Sequence, residues 1–168
     1  LPIVLGLFRQ WFIEEAQDDW EYSELGNFVD IANGLSYKSS DLKESSTAMI
    51  SLKCFRREGG FSREGLKEFD GVYKERHVAR TGDLFIACTD LTQDAEAVGN
   101  PIVLNDNFGY SLLVFSMDTV KVIPKGVLGT QFLYHLMQTR LFKGHCKAYA
   151  NGSTVLHLQK SAIPEFEF

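Results

Sequence analysis

Residues 81–88, Thr81-Gly82-Asp83-Leu84-Phe85-Ile86-Ala87-Cys88, decide the fold of this chain. A polar turn leads into five consecutive apolar residues, a pattern typical of a short strand buried on both faces. Similar short runs recur on both sides of it, bounded by Gly, Asn, Asp or Pro. These predicted strands cover residues 25–32, 49–55, 101–104, 110–116, 120–123 and 155–158.

Two segments have helical periodicity. Residues 5–15 place apolar side chains on adjacent turns, and residues 130–143 repeat them at i and i+4, with Thr130 as the predicted N-cap and Gly144 as the predicted C-cap. Many short strands with few helices predict an α+β domain around a curved, largely antiparallel or mixed sheet. We expect the first helix to stand apart from that body.

The connections carry turn signals. Asn33-Gly34 predicts a hairpin in which residues 35–38 pair back on the strand at 25–32. Ser39, Ser40 and Asp41 favour a short helical turn, and the polar, acidic stretch 89–99 is predicted to be a loop.

Composition suits one globular domain, since the chain has 168 residues of which 45% are hydrophobic. Its three cysteines, an odd count, are far apart, and residues 1–7 lack the basic start and the cleavage site of a signal peptide, so we expect a cytoplasmic protein. The apolar runs are too short to span a bilayer. Because the chain begins with Leu1, we expect a piece of a longer protein, in which residues 1–6 could be an artificial addition.

Charge is segregated along the chain. The net charge of −5 by itself argues against nucleic-acid binding. However, residues 49–81 hold eight basic and five acidic side chains, residues 121–163 hold six basic and no acidic ones, and residues 82–120 hold six acidic and no basic ones. A fold could gather the basic blocks on one face or intermix all blocks so that they cancel, and charge alone favours the second.

Catalytic motifs are missing from the sequence. It contains no G-x-S-x-G, no P-loop, no H-E-x-x-H and no Asn-Pro-Pro-Tyr type of methyltransferase motif. The four histidines lack metal-ligand spacing, and Asp90 and Asp94 are more simply read as a solvated acidic loop than as a carboxylate pair. We therefore expect no enzymatic activity, no metal and no cofactor in this chain.

Three segments have the composition of DNA-contacting loops. Lysines and hydroxyls suit phosphate, whereas arginine and asparagine can read base edges. Each segment also has an interpretation without DNA. The first could be a capped helical turn, the second a solvated basic hairpin and the third an ordinary helix-to-strand loop. The candidate residues are Lys38, Ser39 and Ser40, then Lys53, Arg56, Arg57 and Arg63, then Lys143, Tyr149, Asn151, Ser153 and Thr154.

Landmarks in a fixed order resemble the specificity subunit of type I restriction–modification systems. Residues 7–14, LFRQWFIE, resemble the end of its central conserved helix, and residues 25–34, LGNFVDIANG, the opening strand of its recognition domain. Residues 37–42, YKSSDL, residues 82–87, GDLFIA, and residues 152–161, GSTVLHLQKS, followed by Ile163-Pro164, continue the pattern. The sequence departs from it at 53–80 and 89–110, where family members differ most.

The resemblance implies a non-catalytic reader of one half of a bipartite DNA target. Residues 1–19 would be the end of the spacer helix, with Phe8, Trp11 and Phe12 at a subunit interface, and residues 20–168 the second target-recognition domain. The partners implied are double-stranded DNA, the modification subunits and the restriction subunit. S-adenosylmethionine, ATP and Mg²⁺ would belong to those subunits.

Two rival readings stay open. One is a protein-interaction module without a DNA role, and the other is the specificity part of a different multi-subunit restriction system. An unrecognised small enzyme is the least favoured reading, because no nucleophile–base or metal pattern is visible.

Overall fold

The computed structural model describes residues 2–17 and 20–168. Within these residues, three α-helices and eleven strands make up the fold, which confirms the α+β class. The helices are α1 (Pro2–Arg9), α2 (Thr130–Met137) and α3 (Arg140–Ala148). The strands are β1 (Val29–Asn33), β2 (Thr47–Ile50), β3 (Lys67–Glu68), β4 (Val78–Ala79), β5 (Leu84–Ala87), β6 (Thr89–Asp90), β7 (Pro101–Val103), β8 (Leu112–Phe115), β9 (Thr119–Pro124), β10 (Ala150–Asn151) and β11 (Leu156–Leu158).

The strand β5 is buried on both faces, as its apolar run predicts. It lies between β9 and β7 in an antiparallel sheet of order β1-β9-β5-β7. Leu84 and Ile86 belong to one hydrophobic cluster, whereas Phe85 and Ala87 belong to another. Because side chains alternate along a strand, this one segment divides the two main cores of the domain.

The remaining strands form two further sheets, so the single sheet expected from the sequence is in fact three. One has the order β3-β2-β8-β4 and contains a parallel pair, β2 and β8. The other has the order β10-β11-β6 and is antiparallel.

The hairpin predicted at Asn33-Gly34 is wrong. The strand β1 pairs with β9 instead, and the Leu35 N–H donates to the Phe115 carbonyl oxygen at 2.9 Å. A Cβ atom at Gly34 would lie 2.1 Å from the Ser116 carbonyl oxygen. Glycine is therefore required here by close backbone approach rather than by a tight turn.

The single helix predicted over 130–143 is two helices, α2 and α3. The Thr139 hydroxyl donates to the Leu136 carbonyl oxygen at 2.7 Å and accepts from the Phe142 N–H at 3.3 Å, so it ends one helix and caps the next. Gly129 rather than Thr130 is the N-cap of α2, and Gly144 lies inside α3. Apolar spacing continues through the break, which is why periodicity alone does not reveal it.

The first helix does not stand apart. It continues from α1 through a π-helical turn at Gln10–Glu14, close to the predicted end at residue 15. The Phe8 ring is buried and lies 5.1 Å from that of Phe132 on α2. None of the helices in the described ranges is long and apolar enough to cross a bilayer.

Candidate nucleic-acid interface

A basic hairpin presents two arginines at its tip. Phe55 and Phe61 form an antiparallel bridge, and the Arg56 N–H donates to the Gly60 carbonyl oxygen at 3.0 Å. Gly59 and Gly60 have φ values of 96° and 91°, a region that side chains with a Cβ rarely adopt. The glycine pair thus closes the hairpin and leaves Arg56 and Arg57 exposed.

A buried asparagine anchors this hairpin. The Asn100 side-chain amide donates to the carbonyl oxygens of Arg56 and Arg57 at 2.9 and 3.1 Å. Asn100 immediately precedes β7, so the arginine backbone is tied to the central sheet. The side chains can therefore move while their starting points stay fixed.

The other side of the hairpin contacts the loop before β8. The Phe61 and Phe108 rings are stacked, with centroids 4.9 Å apart. The Arg63 guanidinium donates to the Phe108 carbonyl oxygen at 3.3 Å. Phe108 has a φ of 56°, unusual for a residue other than glycine. Arg63 is therefore partly committed to holding this second loop.

One carboxylate organises the acidic loop Leu91–Gly99. Asp90 is only 4% exposed, and its oxygens accept from the Thr92 N–H and hydroxyl, both at 2.9 Å, and from the Ala97 N–H at 2.7 Å. Burial raises the pKa of Asp90, but these hydrogen bonds, aided by the Arg57 charge, outweigh it and hold the pKa below its ordinary value. Asp90 is thus a structural anion rather than a solvated one.

Cations from two distant segments meet at this loop. Arg57 Nη1 lies 3.5 Å from Glu96 Oε2, and Lys143 Nζ donates to the Glu96 carbonyl oxygen at 3.4 Å. Lys147 Nζ donates to the Asp94 carbonyl oxygen at 2.9 Å. The fold therefore joins the second and third predicted segments, and it does so around acidic residues of the block between them.

The electrostatics of α3 reflect this crowding. Burial and the charge of the neighbouring Lys147 lower the pKa of Lys143. The Glu96 charge acts in the opposite direction but does not offset them. Gly99 packs against the same helix, since a Cβ there would lie 3.1 Å from Cys146 Sγ. The loop thus rests on α3, which carries two of its cations.

Three further candidate residues of the third segment lie on the β10–β11 hairpin. Asn151 is exposed opposite His157, and Ser153 and Thr154 are exposed at the tip. The Gln93 amide donates to the Ser153 carbonyl oxygen at 3.2 Å, which ties this tip to the acidic loop. The Tyr149 ring lies 4.9 Å from that of His145 at the end of α3.

The first predicted segment lies elsewhere. Lys38 precedes the predicted short turn, a 3-10 turn at Ser39–Asp41, and its N–H donates to an Asp41 carboxylate oxygen at 2.8 Å. The Asp41 carbonyl in turn accepts from the Asp70 N–H at 2.8 Å, which places the segment beside the end of β3. Within residues 2–17 and 20–168, no hydrogen bond or ion pair joins it to the acidic loop. Lys53 is exposed in a separate 3-10 turn at Leu52–Cys54.

The described residues offer no metal centre or reactive thiol. No group of three His, Cys, Asp or Glu side chains among them is placed to hold an ion. Burial raises the pKa of Cys54 to about 11 and those of Cys88 and Cys146 to about 12, so these thiols stay protonated at neutral pH.

The predicted interface residues fall into two classes. Phe8 is buried within the domain, whereas Trp11 and Phe12 are 53% and 43% exposed. A groove of about 870 Å³ lies between the first helix, α2 and the end of the chain, and Phe12, Trp20 and Phe168 are among its lining residues.

Comparison with known proteins supports the architecture. No model of a known protein family matches the chain, and no curated protein matches it. Solved structures do match. A type I restriction–modification S subunit from M. genitalium gives a TM-score of 0.57 at 12% identity over 90% of this chain. The chain shares its fold with about a third of that S subunit.

Two further structures agree. One, described as the structural basis of complex assembly and conformational transition of the type I R-M system, gives a TM-score of 0.61 at 16% identity over 99% of this chain. An HsdS subunit from Thermoanaerobacter tengcongensis gives 0.53 at 16% identity over 96%. The matches cover 34%, 40% and 40% of the solved chains, so this chain spans at most about two fifths of their length.

Sequence reasoning missed the residues that assemble the site. Asp90, Glu96 and Asn100 lie in or next to a stretch that reads as a plain acidic loop. A buried Asp or Asn has the same letter as a solvated one, and only its backbone partners distinguish them. The rule that buried polar groups need partners explains their role after the fold is known.

Proposed function

We propose that this chain is a target-recognition domain of a type I specificity subunit and that it reads one half of a bipartite DNA target. The observation that carries the proposal is the meeting of Arg57, Lys143 and Lys147 at one loop with exposed Asp94 and Glu96 side chains, on a fold shared with parts of S subunits. Cations close together in space are the footprint of phosphate binding, even in a net acidic protein.

Roles follow from how each group is held. Lys143, Ser153 and Thr154 flank the acidic loop and would contact phosphates, and Lys38, Ser39, Ser40 and Lys53 would add phosphate contacts at their own positions. Arg56 and Arg57 project from an anchored hairpin, which suits bidentate bonds to guanine O6 and N7. Arg63, Tyr149 and Asn151 are further candidates for base contacts.

The chemistry would take place in other polypeptides. We infer that this chain is non-catalytic and directs modification and restriction subunits, which would hold S-adenosylmethionine, ATP and Mg²⁺, in the cytoplasm. Residues 1–19 would belong to the spacer helix and residues 20–168 to the recognition domain. Leu1, Asp18 and Asp19 of that division lie outside the described residues.

Replacing Arg57 tests the reading role. In the assembled enzyme, Arg57→Ala should cost about 1–3 kcal/mol of DNA-binding free energy and relax one position of the methylated target. Arg80→Ala is the matched control, because Arg80 is also exposed but pairs with Glu75 away from the loop. An unchanged target and affinity would remove Arg57 as a reader. If exchange of the whole region for that of an unrelated relative left the same genomic positions modified, the proposed function would be wrong.

The half-exposed Trp11 and Phe12 side chains favour a role in protein interaction. We propose that they contribute to assembly with the modification subunits, whereas Phe8 supports them from inside the domain. Trp11→Gln should leave the free energy of unfolding unchanged and weaken assembly, measured by co-purification. If the chain had only this role, its affinity for duplex DNA would show no dependence on salt concentration.

A further inference from the structure

We propose that Glu96 is an internal competitor that opposes the binding of Arg57 to DNA, whether the guanidinium contacts a phosphate of a non-specific duplex or a guanine of the target. This proposal rests on the proposed function and adds to it an acidic side chain that opposes DNA binding. The Glu96 carboxylate occupies the guanidinium in the free protein, so a duplex gains Arg57 only by displacing an anion that the chain itself supplies.

The geometry fits an internal competitor. Arg57 Nη1 lies 3.5 Å from Glu96 Oε2, and the two side chains are 63% and 48% exposed. An ion pair this exposed is weak and easily exchanged, because both charges remain hydrated and screened. A phosphate that other contacts hold in the right register can therefore replace Glu96 at little cost in free energy. A loosely placed phosphate binds Arg57 more weakly and competes less well with Glu96.

The loop is built to hold that carboxylate in place. Asp90 fixes both ends of the turn through Thr92 and Ala97, the residue after Glu96. On the other partner, Asn100 fixes the Arg57 backbone. Both members of the pair thus start from anchored backbone, and only their exposed side chains are free to exchange.

Lys143 and Lys147 respond differently. They donate to backbone carbonyl oxygens of the loop, at Glu96 and Asp94 respectively, so a change of the Glu96 side chain leaves these acceptors in place. Glu96→Gln should consequently release one ion-paired cation, Arg57, while Lys143 and Lys147 keep their hydrogen bonds to the loop. That count gives the proposal a numerical test.

The experiment measures binding of a random-sequence duplex to the 168-residue chain by fluorescence anisotropy between 25 and 200 mM salt. Glu96→Gln should raise affinity about twofold at the lowest salt and steepen the slope of log affinity against log salt by about 0.9, the value for one added phosphate contact. Glu58→Gln is the matched control, since it removes the same charge from the neighbouring hairpin residue, which forms no ion pair within the described ranges.

A second experiment, in an Arg57→Gln variant, separates the loss of the Arg57–Glu96 ion pair from the general effect of removing a negative charge. In Arg57→Gln, the added Glu96→Gln change should give no more than the gain seen with Glu58→Gln. Equal gains from Glu96→Gln and Glu58→Gln in the native background would overturn the competitor role and leave the proposed function standing. If the unchanged chain bound the duplex with an affinity that did not depend on salt concentration, the proposed function and this inference would both be wrong.

Discussion

The two ends of this domain are held by different forces. At the loop end, Arg57, Lys143 and Lys147 contact residues 91–99 through single hydrogen bonds and one exposed ion pair, while Ala95 and Val98 of the loop are buried in the hydrophobic core. At the aromatic end, formed by the first helix, α2 and residues 166–168, rings such as Phe8, Phe132 and Phe168 lie about 5 to 6.5 Å apart. Apolar burial is large and non-directional, whereas each exposed polar contact is small. The comparison indicates that the exposed polar side chains at the loop end, which carry the candidate recognition chemistry, contribute less to stability than the buried rings of the aromatic end.

The helix α3 connects the two ends. Phe142 and Cys146, four residues apart, are fully buried, and the Phe142 ring lies 5.1 Å from that of Phe166. Lys143 and Lys147, one position further along, reach the acidic loop. Helical spacing therefore places core and candidate binding residues on adjacent faces of one element.

The largest expected effect is at the aromatic end. Phe142→Ala should lower the free energy of unfolding by about 3–5 kcal/mol, because it removes a fully buried ring and leaves a cavity. Its neighbour Leu141 is exposed, and Leu141→Ala should change stability by less than about 0.5 kcal/mol. Urea unfolding measures both. Similar losses for the two variants would mean that α3 does not separate core from surface as described.

The next effect belongs to the loop end. Asp90→Asn should cost about 1–3 kcal/mol, because an amide cannot accept all the hydrogen bonds that the carboxylate receives. The folded-state pKa of Asp90 is below its ordinary value, so its contribution is complete above that ordinary value and is lost as pH falls below it.

Unfolding free energy measured from pH 7 to pH 3 checks this expectation. The gap between the native chain and Asp90→Asn should narrow as pH falls below about 4, the ordinary Asp pKa. Asp94→Asn, a change of an exposed residue in the same loop, should leave the pH dependence close to native. A gap that widened in acid would contradict the described role of the carboxylate.

A smaller effect tests the break between α2 and α3. Thr139→Ala should cost about 1 kcal/mol, the usual value for loss of an N-cap. Thr130→Ala should cost less, because Gly129 occupies the cap of α2. Thermal unfolding of the two variants distinguishes the observed capping from the pattern predicted from sequence, in which Thr130 would matter more.

The smallest effect separates binding from stability. Glu96→Gln should shift the free energy of unfolding by less than about 0.5 kcal/mol, since its ion pair with Arg57 is exposed. Chemical denaturation monitored by tryptophan fluorescence measures the shift. A loss of several kcal/mol would show that Glu96 supports the fold, in which case the exposed polar contacts at the loop end would not be weak.

The sequence predicted the positions of the strands better than it predicted which strands pair with each other. The run Leu84–Cys88 was correctly predicted as a buried strand, and α1 and the strand β8 were found near their observed positions. Pairing was not predictable, because β1 joins β9 across some ninety residues and Asn33-Gly34 looks like a hairpin turn. For the site, the segments with Arg57 and Lys143 were found, but the residues that bring them together, Asp90 and Asn100, were not. The roles of all these side chains in DNA binding stay predictions.

What the sequence by itself determined is local: which short runs are apolar enough to be strands, where the basic blocks lie, and that no familiar catalytic motif is present. Only the tertiary structure decided that the acidic stretch 91–99 would sit between two basic segments and hold their cations. The physical reason is that a carboxylate's environment depends on its partners. Asp90 is fixed by backbone N–H groups and Glu96 is left exchangeable, although a linear reading gives both the same charge.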